Sequence, residues 1–168
     1  MPKAASTPLS AMDRALKILA ASPVSEAELR RKLRQKGYPD LLIDPVIADC
    51  RKRGYLNDEL LAQDSLAYLR QRGSGSRLVQ LKLQRRGLDS ALIKAVLNTE
   101  DPECDLETCR QALREKLRGL KHESDWRKRR EKAFRFLTAR GFKHNSIRAV
   151  LSEIDWRAEF ADAASAEQ

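Results

Sequence analysis

The sequence contains one pattern three times, as LRQKGYPDLLIDPVI (33–47), LQRRGLDSALIKAVL (83–97) and LTARGFKHNSIRAVL (137–151). Each copy has a leucine four residues before a glycine, a cation directly before the glycine and a hydrophobic residue directly after it. Aliphatic residues then recur at three matching positions downstream. The glycine sets only the register of the alignment, so the matching downstream residues indicate an internal repeat of about 50 residues.

The hydrophobic periodicity of the chain predicts helices. Apolar residues recur at steps of three and four, as at Leu29 and Leu33, which is typical of amphipathic helices. β-Branched residues are sparse and no window alternates strictly, so we expect no sheet. A further helical run precedes the two helices of each copy, at 13–21, 58–72 and 105–120. Each repeat should therefore contain three helices.

We predict an all-α fold, built as an elongated, curved array of three tandem three-helix repeats that resemble helix-turn-helix units. The predicted division of the chain is a flexible tail (1–10), repeat 1 (11–55), repeat 2 (56–101), repeat 3 (102–156) and a second flexible tail (157–168). The segment from Asn98 to Glu103 contains Pro102 and three acids. It reads as the connection between repeats 2 and 3 and as a candidate hinge.

Local signals mark where the helices begin and end. Ser25 followed by Glu28 is a capping box. Further helix starts are predicted at Asn57, Ser76, Asp89 and Ser124. Helix ends in a left-handed conformation are predicted at Gly37, Gly54, Gly73, Gly87 and Gly141. Substitution of the glycine in any of the three copies of the pattern should lower stability.

Pro45 leaves two alternatives for the third helix of repeat 1. The helix begins at Asp40 and kinks at the proline, or it begins later, with Asp44 as its cap and Pro45 in first position.

The composition excludes a membrane protein and a disulfide-stabilised secreted protein. The 168 residues include 33 Lys and Arg against 24 Asp and Glu, a formal net charge of +9, which favours a polyanionic partner. No run approaches the roughly 18 apolar residues of a membrane span, and Met1–Ser10 lacks the apolar core of a signal peptide. Three cysteines are an odd number for a disulfide framework. We therefore expect reduced thiols and a cytoplasmic location.

Cations cluster on the second helix of every repeat. A single cluster of cations is most simply explained as the solvent-exposed face of a helix. Because the cluster recurs in all three repeats, an alternative is that the three basic faces align as one basic stripe. Such a stripe would meet phosphates or an acidic protein surface. Sequence-specific DNA recognition is disfavoured, because the third helices carry acids such as Asp40, Asp44 and Asp89 where base-reading residues are needed.

Two local features have both a structural and a functional interpretation. Four aromatic residues are candidates for stacking on nucleic-acid bases, although packing in the core is the favoured interpretation: Tyr38, Tyr55, Tyr68 and Phe142. The loop 73–76 reads as an inter-helix connection, and contact of its amides with a DNA backbone beside Arg72 and Arg77 is the alternative.

Catalytic and metal-binding patterns have little support in this sequence. Cys104, Cys109 and His122 do not have the paired short spacings of a zinc site. The chain has two histidines and no nucleophile–base pattern. We expect a protein that is not an enzyme and that has no catalytic residue, no metal and no cofactor.

A further motif joins repeats 1 and 2 and continues into repeat 2: Gly54, Tyr55, Leu56, Asn57, Asp58, Ala62, Tyr68, Arg72, Gly73, Gly75, Arg77 and Leu78. This stretch resembles the RecX family, whose members regulate the RecA recombinase. Residues of repeats 1 and 3 extend the resemblance: Ser25, Glu28, Leu29, Leu33, Lys36, Gly37, Arg140, Gly141, Phe142, Ile147 and Val150. The resemblance covers roughly residues 11 to 155.

The RecX resemblance implies a negative regulator that binds along the groove of the RecA filament on single-stranded DNA. It would block filament extension, promote disassembly and inhibit ATP hydrolysis and strand exchange, and so modulate recombinational DNA repair and the SOS response. The expected partners are the RecA filament and single-stranded DNA, with double-stranded DNA as a further candidate, and we expect a monomer without membrane contact.

The same hypothesis divides the marked residues into two groups. Partner or DNA contact is expected from Arg30, Arg31, Arg34, Arg72, Arg77, Arg85, Arg127, Lys128 and Arg130. The architecture is expected to depend on Gly37, Gly54, Tyr55, Asp58, Gly87 and Gly141. The alternative function is a non-specific nucleic-acid-binding helical repeat protein that acts on bare DNA.

Overall fold

The computed structural model describes residues 10–157. Within them lie nine α-helices and no strand: α1 (Ala11–Ala21), α2 (Glu26–Gln35), α3 (Asp40–Lys52), α4 (Asp58–Gln71), α5 (Ser76–Arg85), α6 (Ser90–Asn98), α7 (Pro102–Arg118), α8 (Trp126–Ala139) and α9 (His144–Ser152). The predicted all-α class is confirmed. Residues 1–9 and 158–168, which make up nearly all of the two predicted tails, lie outside the described residues.

The capping signals in the sequence account for several helix starts. Ser25 accepts a hydrogen bond from the amide of Glu28 at 3.0 Å, and its own amide donates to the Glu28 carboxylate at 3.1 Å, so the capping box is confirmed. Asn57 and Asp89 each accept a hydrogen bond from an amide in the first turn of the helix that follows, at 2.9 and 2.8 Å. These side chains satisfy donors that the helix itself leaves unpaired.

Three helices begin a few residues away from the predicted position. Ser10 caps α1, which starts two residues before the predicted run. Asp101 caps α7, so the helix takes in Pro102 from the segment expected to connect repeats 2 and 3. Asp125, rather than Ser124, caps α8. In each case a polar side chain close to the predicted start accepts a hydrogen bond from an amide in the first turn of the helix.

Pro45 lies inside α3, which begins at Asp40. The amides of Leu42 and Ile43 donate to the carbonyl of Pro39, so the helix is already formed one turn before Pro45. Of the two alternatives, the helix that starts at Asp40 is therefore the one observed, and the start at Asp44 is wrong. Proline removes one backbone hydrogen bond from the second turn.

The five predicted helix-ending glycines all have positive φ angles, between 66° and 87°. They are the positive-φ residues of the described chain, and the three glycines of the repeated pattern are among them. The hydrophobic residue after the glycine packs inward in each copy: Leu88 and Phe142 are buried, and Tyr38 is partly buried against the core of α1–α3. The glycine turn therefore ends one helix and directs a core side chain inward.

The chain separates into two compact units. One takes in the chain up to Asp64 together with Leu83–Ile93, and the other takes in Ser65–Lys82 together with the chain from Lys94 onward. In the first unit α1, α2 and α3 pack on each other around Leu29, Leu33 and Ile43. In the second unit α7, α8 and α9 pack around a core of their own: Cys109, Leu113, Ala133, Leu137, Phe142, Ile147 and Val150. The nine helices fall as three triplets inside the predicted repeats, while the elongated, curved shape stays a prediction.

A glycine turn also contacts the start of an earlier helix within the first unit. The hydroxyl of Ser25 donates to the carbonyl of Arg86, the residue before Gly87. The Arg86 guanidinium in turn donates to the carbonyl of Pro23 at 2.7 Å. The start of α2 is thereby joined to the turn that ends α5.

The second unit contains the equivalent contact. Gly75, which stands at the same distance before Gly87 as Ser25 does before Gly37, donates its amide to the carbonyl of Arg140 at 2.8 Å. The Arg140 guanidinium donates to the carbonyl of Arg72. The cation before the repeated glycine thus has the same structural role twice, which explains why arginine recurs at that position.

An ion network near the start of α7 holds α4, α5, α7 and the segment before α7 together. Arg70 donates to both oxygens of Glu100, at 2.8 and 2.6 Å, and to Asp105 at 2.9 Å. The side chains of Arg70, Glu100 and Asp105 are only 10, 15 and 13% exposed. Ser76 donates its hydroxyl and its amide to Asp105 at 2.7 and 3.1 Å. Glu100, in the segment predicted as a hinge, is therefore tied to α4.

The pH dependence of stability should report on this network. Burial alone would raise the pKa of Asp105, but hydrogen bonds from Ser76 and Arg70 bring it below its ordinary value. A carboxyl whose pKa is lowered by folding stabilises the protein above its unfolded pKa, near 4, and loses that contribution as the pH falls further. We expect the free energy of unfolding of the wild type to exceed that of Asp105→Asn by more at pH 7 than at pH 3, measured by urea titration. An unchanged difference would show that the carboxylate charge contributes nothing.

Candidate interaction surfaces

The predicted contact cations lie at the surface. Eight are exposed and Arg30 is partly buried; the exposed ones are Arg31, Arg34, Arg72, Arg77, Arg85, Arg127, Lys128 and Arg130. Exposure alone does not make a cation available, because a neighbouring carboxylate can already occupy it. The ion pairs therefore separate these residues into different groups.

In α2 two of the three predicted cations are neutralised within the repeat. Arg30 pairs with Asp44 of α3, and Arg34 pairs with Asp40 at 2.7 Å. The hydrogen bond from Arg34 holds the pKa of Asp40 below its ordinary value. Arg31 forms no ion pair with any residue in 10–157. The acids of α3 thus pair with the cations of α2 instead of leaving them free for a polyanion.

In repeat 2 the predicted cations form no ion pair with a residue in 10–157. Arg77 and Arg85 have no ion pair in the described part of the chain. Arg72 stacks on Tyr68, with its guanidinium carbon 5.4 Å from the ring centroid, and donates to the tyrosine hydroxyl. Tyr68 and Tyr55 are 54 and 52% exposed, so the expectation that they belong to the core is wrong.

The amides of the loop before α5 are already used. Those of Ser74, Gly75 and Ser76 donate to the carbonyl of Leu69, the carbonyl of Arg140 and the carboxylate of Asp105, at 3.0, 2.8 and 3.1 Å. An anion at a helix start needs free amides. The interpretation of this loop as an inter-helix connection is therefore favoured over a DNA backbone contact, and Ser76 is the first residue of α5 rather than its cap.

In repeat 3 the predicted cations Arg127, Lys128 and Arg130 are exposed and form no ion pair with another described residue. Arg129, between them, points inward: it is 2% exposed and donates to the carbonyl of Lys121 at 3.0 Å. The helical spacing of the basic run RKRR therefore splits it, with three cations at the surface and one used to hold the loop before α8.

An open groove with a volume of about 540 Å³ lies between α8 and α9, called here the α8–α9 groove. Its lining residues are Trp126, Arg127, Arg130, Glu131 and Phe134 of α8, and Arg148 and Leu151 of α9. Leu151 is buried, whereas Trp126 and Phe134 are partly buried. The guanidinium carbons of Arg127 and Arg157 lie 5.2 and 5.6 Å from the centroid of the Trp126 ring. The groove therefore combines an apolar floor with cations.

The predicted structural residues near the end of repeat 1 have identifiable roles, apart from Tyr55. Gly54 has a φ of 75° and ends the turn after α3. Asp58 accepts a hydrogen bond at 3.0 Å from the amide of Glu26, the first residue of α2. Burial of this carboxyl raises its pKa despite that hydrogen bond. Asp58 thus connects the start of α4 to the start of α2.

The cysteines have the surroundings of structural thiols. Cys50 and Cys109 are buried and Cys104 is partly buried. Burial raises the pKa of Cys109 to about 12, so the reactive thiolate form of this cysteine is scarce at neutral pH.

Residues 10–157 contain no group of three or more His, Cys, Asp and Glu side chains placed to hold a metal ion. In the same part of the chain, no helix has both the length and the apolar character needed to cross a bilayer.

Three residues of the groove and one residue of the buried ion network are missing from the sequence-based prediction. Trp126 and Phe134 lie eight residues apart on α8, and this helical spacing beside the basic run is a signal that was available. Arg148 lies outside the basic run, on α9, and shares the groove with Arg127 and Arg130 only because α9 packs on α8. Arg70 carried no local signal, because its partners come from distant parts of the sequence.

Comparison with known proteins assigns a family. The family model for the first three-helix domain of RecX matches residues 11–50, and the model for the third three-helix domain matches residues 103–151. The chain is similar to the regulatory protein RecX of Chlorobaculum tepidum, with 34% identity over 144 residues, covering 84% of this chain and 86% of that protein. It is also similar to the regulatory protein RecX of Deinococcus radiodurans, with 32% identity over 140 residues. That match covers 83% of this chain and 66% of that protein.

Solved structures of RecX proteins have a similar fold. The crystal structure of RecX from Lactobacillus salivarius superposes with a TM-score of 0.76 at 19% identity, covering 86% of this chain and 94% of that one. A second crystal structure of a regulatory protein RecX gives a TM-score of 0.72 at 20% identity, covering 83% of this chain and 69% of that one. Together with the two matching domains and the relatives above 30% identity, these likenesses show that the chain belongs to the RecX family of regulatory proteins.

Proposed function

We propose that this protein is a negative regulator of RecA that binds the RecA filament on single-stranded DNA, blocks its extension and inhibits ATP hydrolysis and strand exchange. Membership of the RecX family is the observation that carries this proposal. Through that action the protein would modulate recombinational DNA repair and the SOS response in the cytoplasm. The proposed mode of action is binding by a monomer, and it requires no bond to be made or broken by this chain.

The distribution of paired and unpaired cations supports contact through repeat 3. Arg127, Lys128 and Arg130 project from α8 and form no ion pair with a described residue, whereas Arg30 and Arg34 of α2 are each paired with an acid of α3. Unpaired surface cations attract phosphates or acidic side chains of a partner over longer distances than neutralised ones. Of the nine predicted contact residues, we therefore expect those of repeat 3 to contribute most to partner binding.

Removal of two charges from repeat 3 should weaken RecA inhibition. The double variant Arg127→Gln/Arg130→Gln is expected to raise the concentration for half-maximal inhibition of the RecA ATPase on single-stranded DNA about tenfold, since two charged contacts of about 0.7 kcal/mol each combine to that factor. The double variant Arg30→Gln/Arg34→Gln removes the same charge from already paired cations and should change inhibition little. Equal effects of the two double variants would mean that total charge, and not repeat 3, governs binding.

The second candidate function is non-specific binding to bare DNA, and the same unpaired cations favour it. A protein that inhibits RecA only by covering the DNA should act only at concentrations that saturate the same DNA without RecA. Its affinity should also fall steeply with salt, by a log–log slope of about 0.7 for each neutralised phosphate on single strands. ATPase inhibition well below DNA saturation is the result expected for a filament regulator, and inhibition that tracks DNA coverage would favour the second candidate.

A further inference from the structure

The floor of the α8–α9 groove is apolar and open to solvent. Leu151 is buried beneath it, and Phe134 and Trp126 are partly buried along it. Open concave surfaces lined by aromatic and aliphatic side chains are typical binding sites for apolar groups of a ligand. We propose that the α8–α9 groove binds an acidic segment of a partner polypeptide that carries large apolar side chains.

The charge around the groove complements such a segment. Arg127, Arg130 and Arg148 are exposed and form no ion pair within residues 10–157. The acid in the lining, Glu131, is paired with Arg135 one turn further along α8. The groove therefore has a net positive charge, and an arginine without an ion pair can bind a carboxylate with two parallel hydrogen bonds.

The apolar floor distinguishes a polypeptide from a nucleic acid as the occupant. Leu151 has no aromatic face on which a base can stack. An aliphatic or aromatic side chain gains free energy at the same place by leaving water. The Trp126 ring is already in contact with two guanidinium groups, which compete with a base for the ring.

The length of the groove suits a short amphipathic helix. Trp126 and Phe134 are separated by about two turns of α8, or about 12 Å. An amphipathic helix placed in a groove of this length contributes apolar side chains one turn apart. Three such side chains in a row span two turns and would cover the floor from Trp126 to Phe134, with carboxylates toward the three arginines.

A direct binding assay without RecA tests this inference. The probe is a fluorescently labelled peptide of about 12 residues, made of Glu and Asp with three leucines spaced one helical turn apart. The control peptide has serine in place of all three leucines. Fluorescence anisotropy should show binding of the leucine peptide, with the serine peptide at least about tenfold weaker because the apolar contact is lost. An oligothymidylate of the same charge should displace the leucine peptide poorly.

Matched protein variants locate the binding. Arg148→Gln should weaken binding of the leucine peptide severalfold, whereas Lys82→Gln, which changes an exposed cation on α5 outside the groove, should not. No binding of the leucine peptide, equal binding of the serine peptide, ready displacement by oligothymidylate, or no effect of Arg148→Gln would each overturn the proposal. The inference rests on the proposed function only in taking the partner to be a protein, and since the assay contains no RecA, its failure is distinguishable from a failure to inhibit the RecA ATPase.

Discussion

Gly141→Ala should lower the free energy of unfolding by about 3 kcal/mol, the sum of a strained backbone and an overpacked contact. Gly141 has a φ of 81°, where a side chain is unfavourable. A Cβ at this position would also lie 2.5 Å from the Cβ of Leu78 and 2.9 Å from its Cα, in the first turn of α5. Backbone atoms of a helix cannot yield as the end of a flexible side chain can, so the clash adds to the strain.

Gly37→Ala is the matched control. Gly37 is the equivalent glycine of repeat 1 and has a similar φ of 87°, but a Cβ built there has no neighbour within 4 Å. Its replacement should cost only the conformational term, about 1 kcal/mol. Urea denaturation followed by circular dichroism gives both values, and equal losses at the two positions would show that the contact between Gly141 and α5 does not form in solution.

Arg70→Met should destabilise the protein by about 3 kcal/mol, because removal of one partner from a buried ion network leaves the others uncompensated. Glu100 and Asp105 would remain 15 and 13% exposed without a cation between them. The substitution also removes hydrogen bonds to the carbonyl of Ser74 and the hydroxyl of Ser76, each at 2.9 Å. Methionine keeps the apolar stem, so the loss reports mainly on the charge and its hydrogen bonds.

Arg110→Met provides the comparison for an exposed network. Arg110 contacts three carboxylates, those of Glu103, Glu107 and Glu153, at 2.9 to 3.2 Å. These carboxylates are 45 to 60% exposed, and water replaces an exposed ion pair at little cost. Thermal unfolding of both variants should therefore show a much larger fall in Tm for Arg70→Met. A fall of the same size in Arg110→Met would mean that the number of carboxylates, and not their burial, decides the loss.

The helices and turns were predictable because their causes are local. Hydrogen bonds between residues three or four apart produce the periodicity that marks α2 and its capping box at Ser25. The left-handed conformation of Gly87 and Gly141 was predictable for the same reason, since the turn at a helix end is determined by a few neighbouring residues. Helix starts were less certain, as at Asp125, where two adjacent polar residues compete to cap α8.

The candidate surface was only partly predictable. The cations of α8 were identified by their clustering, and they do lie exposed. Those of α2 were identified in the same way, but Arg30 and Arg34 are neutralised by Asp44 and Asp40. In the sequence, the acids of α3 argue only against base recognition. The cation that each acid pairs with depends on how α3 packs on α2, and this packing is not visible in the sequence.

The sequence by itself determined the helical class, the three-fold repetition, the glycine turns and the family. These follow from backbone hydrogen bonding and side-chain periodicity, which act over a few residues and can be read along the chain. Only the tertiary structure decided which cations stay unpaired, that Arg70 joins Glu100 and Asp105, and that Trp126, Phe134 and Leu151 form the floor of a groove. Ion pairing and burial depend on distances between residues far apart in sequence, and packing of the helices sets those distances.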